Sequence, residues 1–320
     1  MADSEPLKCG VAGVGYLGQH HARLYTELPS TELVGVYDVN PKRAREVADR
    51  HGGRVFASLA DLGAACEAVS VVTPTDTHAA VADALLAAGC HLLVEKPICP
   101  TVEEARAIAK AAAARGRMVQ VGHVEHFNPV MTYLEKKVRD PRFLTADRLA
   151  PNKERGVEVS VVLDLMIHDI GIILKLVKSP VARVDAVGVN VITKSVDLAN
   201  ARLTFANGAV ANLNASRVSL QPKRELRVFQ PDTYLSLNFA EQKGHLVRKG
   251  PVPLPGMLGF TKTDIPVEKG EPLKIELAAF AEAIRGHEPP EIDATFGTTA
   301  LEVALAVSAA IDAGLPSQHR

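Results

Sequence analysis

The stretch Leu7-Lys8-Cys9-Gly10-Val11-Ala12-Gly13-Val14-Gly15-Tyr16-Leu17-Gly18 decides the fold: a short apolar run opens directly into a glycine-rich turn. A helix-like segment continues to Leu28, and a second apolar run, Glu32-Leu33-Val34-Gly35-Val36-Tyr37, ends in Asp38. Strand, glycines, helix, strand and acid in that order form the dinucleotide fingerprint. Gly13 allows the tight turn, Gly15 lets the backbone approach a pyrophosphate, and Gly18 permits close helix–strand packing; the helix N-terminus favours phosphate charge. Gly13, Gly15, Tyr16, Leu17 and Gly18 are the expected cofactor-binding turn. Asp38 stands about twenty residues beyond the last glycine, where a carboxylate accepts hydrogen bonds from the adenosine ribose. Its charge repels a 2′-phosphate, so the expected cofactor is NAD and not NADP. Lys42 and Arg43, following Pro41, read as solvated charges in the first turns of a helix.

Working outward, strand-like and helix-like runs alternate as far as Val124. Strands are expected at Lys8–Val14, Glu32–Val39, Val69–Thr73, His91–Glu95 and Met118–Gly122, and helices at Gly15–Leu28, Pro41–His51, Asp76–Ala88 and Val102–Arg115. The strands are nearly continuous apolar runs, as in a parallel sheet covered on both faces. Thr101 and Glu104 have capping-box spacing, and Gly89 and Gly116 sit at helix stops. Residues 1–124 therefore read as a doubly wound Rossmann domain.

Residues 125–320 read as a second, α+β domain with a large, mainly antiparallel open sheet. A helix spans Val162–Val177. Period-two stretches follow at Ala201–Phe205 and Ala209–Ser216, with Asn207-Gly208 between them as a hairpin turn, and again at Leu226/Val228 and Leu235/Leu237/Phe239. One face of such a sheet packs on helices; the other carries Asn212, Asn214 and Ser216 and suits an oligomer interface. Gly250–Gly270, rich in Pro and Gly, reads as a loop, and helices near Ile275–Arg285 and Thr298–Ala313 close the chain.

Composition narrows the function. With 36 basic and 37 acidic residues, bulk charge offers nothing to a nucleic acid. The polar start, Met1-Ala2-Asp3-Ser4-Glu5, precedes no signal peptide or membrane-length apolar run, so no membrane insertion is expected. Cys9, Cys66, Cys90 and Cys99 are scattered without a CxxC pair, which suits a reducing, cytoplasmic compartment and argues against a metal set.

Three groups of residues can carry chemistry. Glu95-Lys96-Pro97 ends the fifth strand, and ligands of open α/β sheets sit outside the carboxyl ends of strands. A lysine there can exchange protons; the plain alternative is a surface lysine in a turn before proline. Asp164 and His168 lie four apart in a helix apolar on almost every side, where an acid can orient an imidazole, or both can be satisfied core residues. Asp169 points about a quarter-turn away and suits either fold support or substrate binding. The third group comprises Thr73-Pro74-Thr75-Asp76-Thr77-His78, Gly122-His123 and Phe127-Asn128-Pro129, each readable as a turn or as a ligand contact. From it Thr73, Pro74, His78 and also Glu95 are candidate cofactor contacts, and Asn128 a candidate substrate contact.

Taken together, the amino-terminal GxGxxG, TPxxxH at Thr73–His78, EKP at Glu95–Pro97, FNP at Phe127–Pro129 and DxxxH at Asp164–His168 resemble the Gfo/Idh/MocA oxidoreductase family. The resemblance implies a Rossmann domain followed by an α/β domain whose open sheet forms dimers or tetramers. It implies hydride transfer between a sugar or polyol carbon and a nicotinamide, with Lys96 and His168 flanking the reacting hydroxyl, Asp164 alongside, and Pro74 and Glu95 near the nicotinamide half. The chain departs from the family where His126 replaces a frequent arginine and where Asp169 directly follows His168. The string Val162–Ile170, with Ala215-Ser216-Arg217-Val218, resembles the branch of UDP-N-acetylglucosamine 3-dehydrogenases. There a 3-hydroxyl becomes a ketone, which a separate aminotransferase converts to an amine for lipid A. A UDP-sugar needs cations for its diphosphate. Lys153, Arg155, Arg217, Lys223, Arg224 and Arg227 are available, and Arg155 and Arg217 are the candidates. A polyol or free-sugar dehydrogenase is the competing enzyme. A non-catalytic NAD(H)-binding regulator is the competing non-enzyme, against which the Lys96, Asp164 and His168 set argues.

Overall fold

The glycine turn follows β1 (Leu7–Ala12) in the computed structural model, which describes residues 5–151, 159–250 and 259–314. The chain then runs through α1 (Gly18–Glu27), β2 (Thr31–Tyr37), α2 (Pro41–His51), β3 (Arg54–Val55) and α3 (Leu59–Ala65). Next come β4 (Ala68–Val71), α4 (His78–Ala87), β5 (His91–Glu95), α5 (Val102–Ala114) and β6 (Val119–Gly122). After these follow α6 (Pro129–Lys137), β7 (Phe143–Leu149), a π-helical turn (Val162–Met166), α7 (Ile167–Val177) and β8 (Val181–Val189). The order continues with β9 (Leu198–Phe205), β10 (Val210–Ser216), β11 (Lys223–Gln230), β12 (Thr233–Asn238), β13 (Lys243–Lys249) and β14 (Phe260–Asp264). The last elements are α8 (Pro272–Gly286) and α9 (Ala294–Gly314).

Two compact units result: Met1–Val124 with Glu271–Thr299, and Glu125–Gly270 with Ala300–Arg320. In the first, six parallel strands take the order β3-β2-β1-β4-β5-β6. This is the doubly wound arrangement, with the strand order reversing between β1 and β4 at the crevice where dinucleotides bind. Local sequence explains its helices. The Asn40 side chain accepts from the Lys42 and Arg43 N–H groups, Ser58 caps α3, and Thr101 and Glu104 complete a capping box. Gly89 and Gly116 follow α4 and α5 with φ of 90° and 61°. The short β3 and the seven-residue α3 carry too few periodic positions to announce themselves. A continuous cut near residue 124 does not describe this unit. Leu277, Phe280, Ala281 and Ile284 of α8 pack into one apolar cluster with Leu7, Cys9, Val11, Leu24 and Tyr25, so burial draws α8 to the first sheet.

The second unit holds an eight-stranded sheet, β14-β13-β12-β11-β7-β10-β9-β8, antiparallel at every pair except β7 with β10. Asn207-Gly208 turns β9 into β10, with Gly208 at φ 84°. Leu144, Ala146, Leu203, Leu213, Val228 and Leu235 line the face that packs with Met166, Ile170 and Ile173. Asn212 and Asn214 sit on the opposite face as expected. Ser216, two residues further along the same strand, shares that face but is buried, its hydroxyl accepting from the Val218 N–H. The expected loop at Gly250–Gly270 contains β14, whose five residues are all exposed and so show no alternation to signal a strand. Helix α9 is long and apolar enough to cross a membrane, but Ala304, Val307 and Ile311 are buried in the second core.

Candidate active site

Every motif of the first unit lies at the carboxyl end of a parallel strand. Gly13 follows β1 with φ 84°, and a Cβ there would meet the Val72 carbonyl oxygen at 2.6 Å. A Cβ on Gly18 would lie 1.9 Å from the Gly13 carbonyl oxygen, so turn and helix touch backbone to backbone. At Gly15 the nearest atom to such a Cβ is Arg43 Nη1, at 3.6 Å; this face of the turn is open. Tyr16 and Leu17 are exposed beside it. Asp38 accepts from the Val14 N–H through Oδ2 and from the Asn40 N–H through Oδ1, both at 2.8 Å. One carboxylate thus holds the glycine turn to the end of β2 and keeps further lone pairs for a ribose. Open glycine backbone, helix N-terminus and fixed acid fit a dinucleotide.

The loops after β4 and β5 are tied together by His78. Its buried ring places Nε2 2.9 Å from the Thr73 carbonyl oxygen and Nδ1 3.1 Å from that of Pro97. The ring braces Thr73, Pro74 and the Lys96–Pro97 turn from beneath, while Pro74 is exposed. Glu95 is buried; Oε2 accepts from the Lys96 backbone N–H at 3.2 Å, and Oε1 lies 3.3 Å from His21 Nε2. Gly122 makes room for this carboxylate, since a Cβ there would come within 2.8 Å of it. His123 follows on β6. Burial first, then the positive charge of Lys96, pushes its imidazole down to about 4, so the ring is neutral at pH 7. His123 and Lys96 are therefore electrostatic neighbours.

In the second unit Asp164 falls within the π-helical turn and His168 in the first turn of α7, both half-buried. The widened turn modifies the simple helical face on which the pair was expected, and such turns recur at functional sites. Asp169 is buried in a fork: Arg148 Nε donates to Oδ2 at 2.8 Å and Nη2 to Oδ1 at 2.9 Å. Arg148 Nη1 also donates to Glu125 Oε1 at 2.8 Å. Between two carboxylates, and despite its burial, Arg148 has its pKa raised. Asp169 thus supports the fold, one of its two expected uses.

Asn128 is buried, and its amide is committed inside this unit. It donates to Glu125 Oε2 at 3.2 Å and to the Phe239 carbonyl at 3.0 Å, and accepts from the Val130 N–H at 3.3 Å to cap α6. His126 is buried beside it. Arg217 is buried too, donating to the Val159 carbonyl, with Nε 3.9 Å from Asp197 Oδ1. Burial alone would raise Asp197. The N–H groups of Ile192, Thr193 and Val191 and the Thr193 hydroxyl outweigh it and bring the carboxyl down to about 2. Arg155 and Lys153 lie outside the described residues.

A glycine turn with its acid on a doubly wound sheet, followed along the chain by a wide mixed sheet, defines an NAD-binding oxidoreductase. Residues 7–123 match the model of the GFO/IDH/MocA oxidoreductase family with an NAD-binding Rossmann fold, and residues 121–232 match the GFO/IDH/MocA C-terminal domain. The UDP-N-acetylglucosamine 3-dehydrogenase of Acidithiobacillus ferrooxidans is 40% identical over 310 residues, 97% of this chain and 98% of that protein. A solved structure of that dehydrogenase superposes with a TM-score of 0.93, covering 97% of this chain and 99% of the other. The scyllo-inositol 2-dehydrogenase (NAD(+)) of Bacillus subtilis is 27% identical over 98% of this chain and 96% of its own. The chain belongs to the Gfo/Idh/MocA family and is an NAD-dependent oxidoreductase acting on CH–OH groups.

Two buried polar groups of the first unit escaped the sequence reading, His21, whose Nε2 lies 3.3 Å from Glu95 Oε1, and Glu276. The available signal was a polar residue on the inward face of an amphipathic helix, a pattern that burial makes costly unless it is used.

Proposed function

We propose that this protein oxidises the 3-hydroxyl of UDP-N-acetylglucosamine to a ketone with NAD. The observation that carries the reading is the 40% identity to a dehydrogenase of that specificity over nearly the whole of both chains. When bound, NAD supplies the hydride-accepting ring. Lys96 and His168 are the proposed acid–base pair, one taking the hydroxyl proton, with Asp164 orienting the imidazole. Asp38 holds the ribose end, and Thr73, Pro74 and Glu95 face the nicotinamide half, with His78 bracing their loops. Asn128 positions the turn before α6. Arg155 is proposed to meet the diphosphate, and Arg217, which holds the Val159 carbonyl, anchors the chain four residues beyond it.

The ketone calls for a downstream aminotransferase. Four buried free thiols suit a cytoplasmic enzyme. The open sheet face is the proposed homodimer or homotetramer interface, since Val187, Val189 and Leu198 stand exposed on it and its neighbouring edge.

Absorbance at the NADH band with UDP-sugars and free polyols, coupled to an aminotransferase and followed by mass spectrometry, tests the reading. A keto or amino UDP-sugar is the expected product, and Lys96→Met and His168→Ala should each cut turnover by roughly two to four orders of magnitude. Efficient oxidation of a free polyol with no modified UDP-sugar would favour the second reading, a polyol dehydrogenase, which the inositol dehydrogenase relative supports.

A further inference from the structure

The amino-terminal edge of the six-stranded sheet, opposite the end that carries the glycine turn, holds a cavity of about 790 Å³. That volume falls in the range of small-molecule sites. β1 begins there at Leu7 and Lys8 and β5 at His91, while the turns before β4 and β6 contribute Glu67 and Arg117. Helix α8 ends there with Arg285 and His287. His91 opens β5 and Lys96 follows its last residue, about 16 Å away at the rise of a strand. The cavity is therefore separate from the glycine turn and from Lys96.

Its wall is rich in donors. His91 Nδ1 accepts from the Met118 N–H at 3.0 Å, and Arg117 Nη1 lies 3.3 Å from His91 Nε2. Burial first, then the Arg117 charge, holds this imidazole below its ordinary value, so at pH 7 the ring is neutral and has a single lone pair. Met118 takes that pair, so Nε2 carries a hydrogen and stands beside a guanidinium N–H. Two donors side by side call for an acceptor, and an anion's oxygen serves both. Arg285 donates through Nη2 to the Glu5 carbonyl at 2.7 Å, which fixes a second guanidinium in the same wall. Arg117 and Arg285 are exposed, and neither forms an ion pair among the described residues, although Glu5 and Glu67 share the lining. His287 takes the left-handed position after α8, with φ 52°, although Gly286 stands next to it. A histidine in a conformation that favours glycine is a local cost of the kind kept at ligand sites.

We propose that this cavity binds a phosphate monoester carried on a hydroxylated body, the chemistry of a sugar phosphate. Phosphate oxygens accept from Arg117, His91 Nε2 and Arg285, and Lys8 adds a third cation to the lining. The carboxylates of Glu5 and Glu67 repel a polyphosphate and accept from hydroxyls, so one anionic group on a neutral polyol matches the wall. Glu67 is already steadied for this, its Oε2 accepting from the Lys8 N–H at 3.0 Å.

The test is calorimetric titration of the full chain with NAD in excess, which fills the glycine turn, using glucose 6-phosphate, ribose 5-phosphate, inorganic phosphate and glucose. At least one sugar phosphate should bind with a Kd below about 1 mM, inorganic phosphate about tenfold more weakly, and glucose without measurable heat. Arg117→Ala and Arg285→Ala should each weaken the sugar phosphate by about tenfold or more, the scale of one charge-assisted hydrogen bond. Both variants should bind NAD as the parent does and melt within about 2 °C of it. His91→Asn keeps an oxygen to accept from the Met118 N–H but loses the Nε2 donor, and should weaken binding similarly. Three results would each overturn the proposal: no binding of either sugar phosphate up to about 10 mM, binding undiminished in the arginine variants, or inorganic phosphate binding as tightly as the sugar phosphates. The first two remove the site, and the third removes the sugar body.

Discussion

Replacing Gly18 and Gly15 by alanine separates the two duties of the glycine turn. At Gly18 the new Cβ would lie 1.9 Å from the Gly13 carbonyl oxygen and 3.0 Å from its carbon, both backbone atoms that cannot rotate away. The turn must open by at least about 1 Å, which for overpacking against fixed backbone costs about 3 kcal/mol. For a unit of this size that is a fall of roughly 6–12 °C in melting temperature, with or without cofactor. At Gly15 the new Cβ meets nothing nearer than Arg43 Nη1 at 3.6 Å, so the free protein should melt as the parent does. Its cost appears only when a pyrophosphate must approach that backbone. Calorimetric NAD titration should therefore show weakened binding in both variants, and scanning calorimetry a lowered melting temperature in Gly18→Ala alone. A Gly18→Ala protein melting within about 2 °C of the parent, or a Gly15→Ala protein destabilised as much, would refute the division of labour.

Further outcomes follow from the buried charges. Arg148→Met leaves Asp169 and Glu125 buried without their shared guanidinium and should cost about 3–5 kcal/mol in urea unfolding; a loss under 1 kcal/mol would mean that the fork is not what satisfies them. His123 titrates at about 4 when folded, below its ordinary value, so the folded state resists protonation. Parent stability should fall as pH drops from about 6.5 toward 4, by an amount on the order of 3 kcal/mol, and His123→Gln should abolish that fall. Identical pH curves for the two proteins would contradict a neutral His123 beside Lys96.

The amino-terminal half was legible because its determinants are local. The glycine turn, the strand–helix alternation, the Thr101–Glu104 box and the stops at Gly89 and Gly116 each act over a few residues, and all stand in the structure. The Asn207-Gly208 hairpin is of the same kind. So are the candidate residues that terminate strands: a parallel sheet forces Thr73, Glu95, Lys96 and His123 to one end wherever the helices lie.

Partnership across the chain had no such signal. Asp169 carries either reading until the fold brings Arg148, 21 residues earlier, into a fork with it. Asn128 looks like a ligand contact until its amide meets the Phe239 carbonyl, 111 residues away. Helix α8 reads as one more helix of the second half, yet its apolar face completes the first core and carries Glu276 into burial with it. The parallel joining of β7 to β10 within an otherwise antiparallel sheet is equally silent in the residues. By itself the sequence determined the cofactor turn, the strand ends and the residue types available for proton transfer, because backbone conformation and periodicity are short-range properties. Which buried charge meets which partner was decided only by tertiary structure, since burial makes each unpaired group costly but does not name its mate.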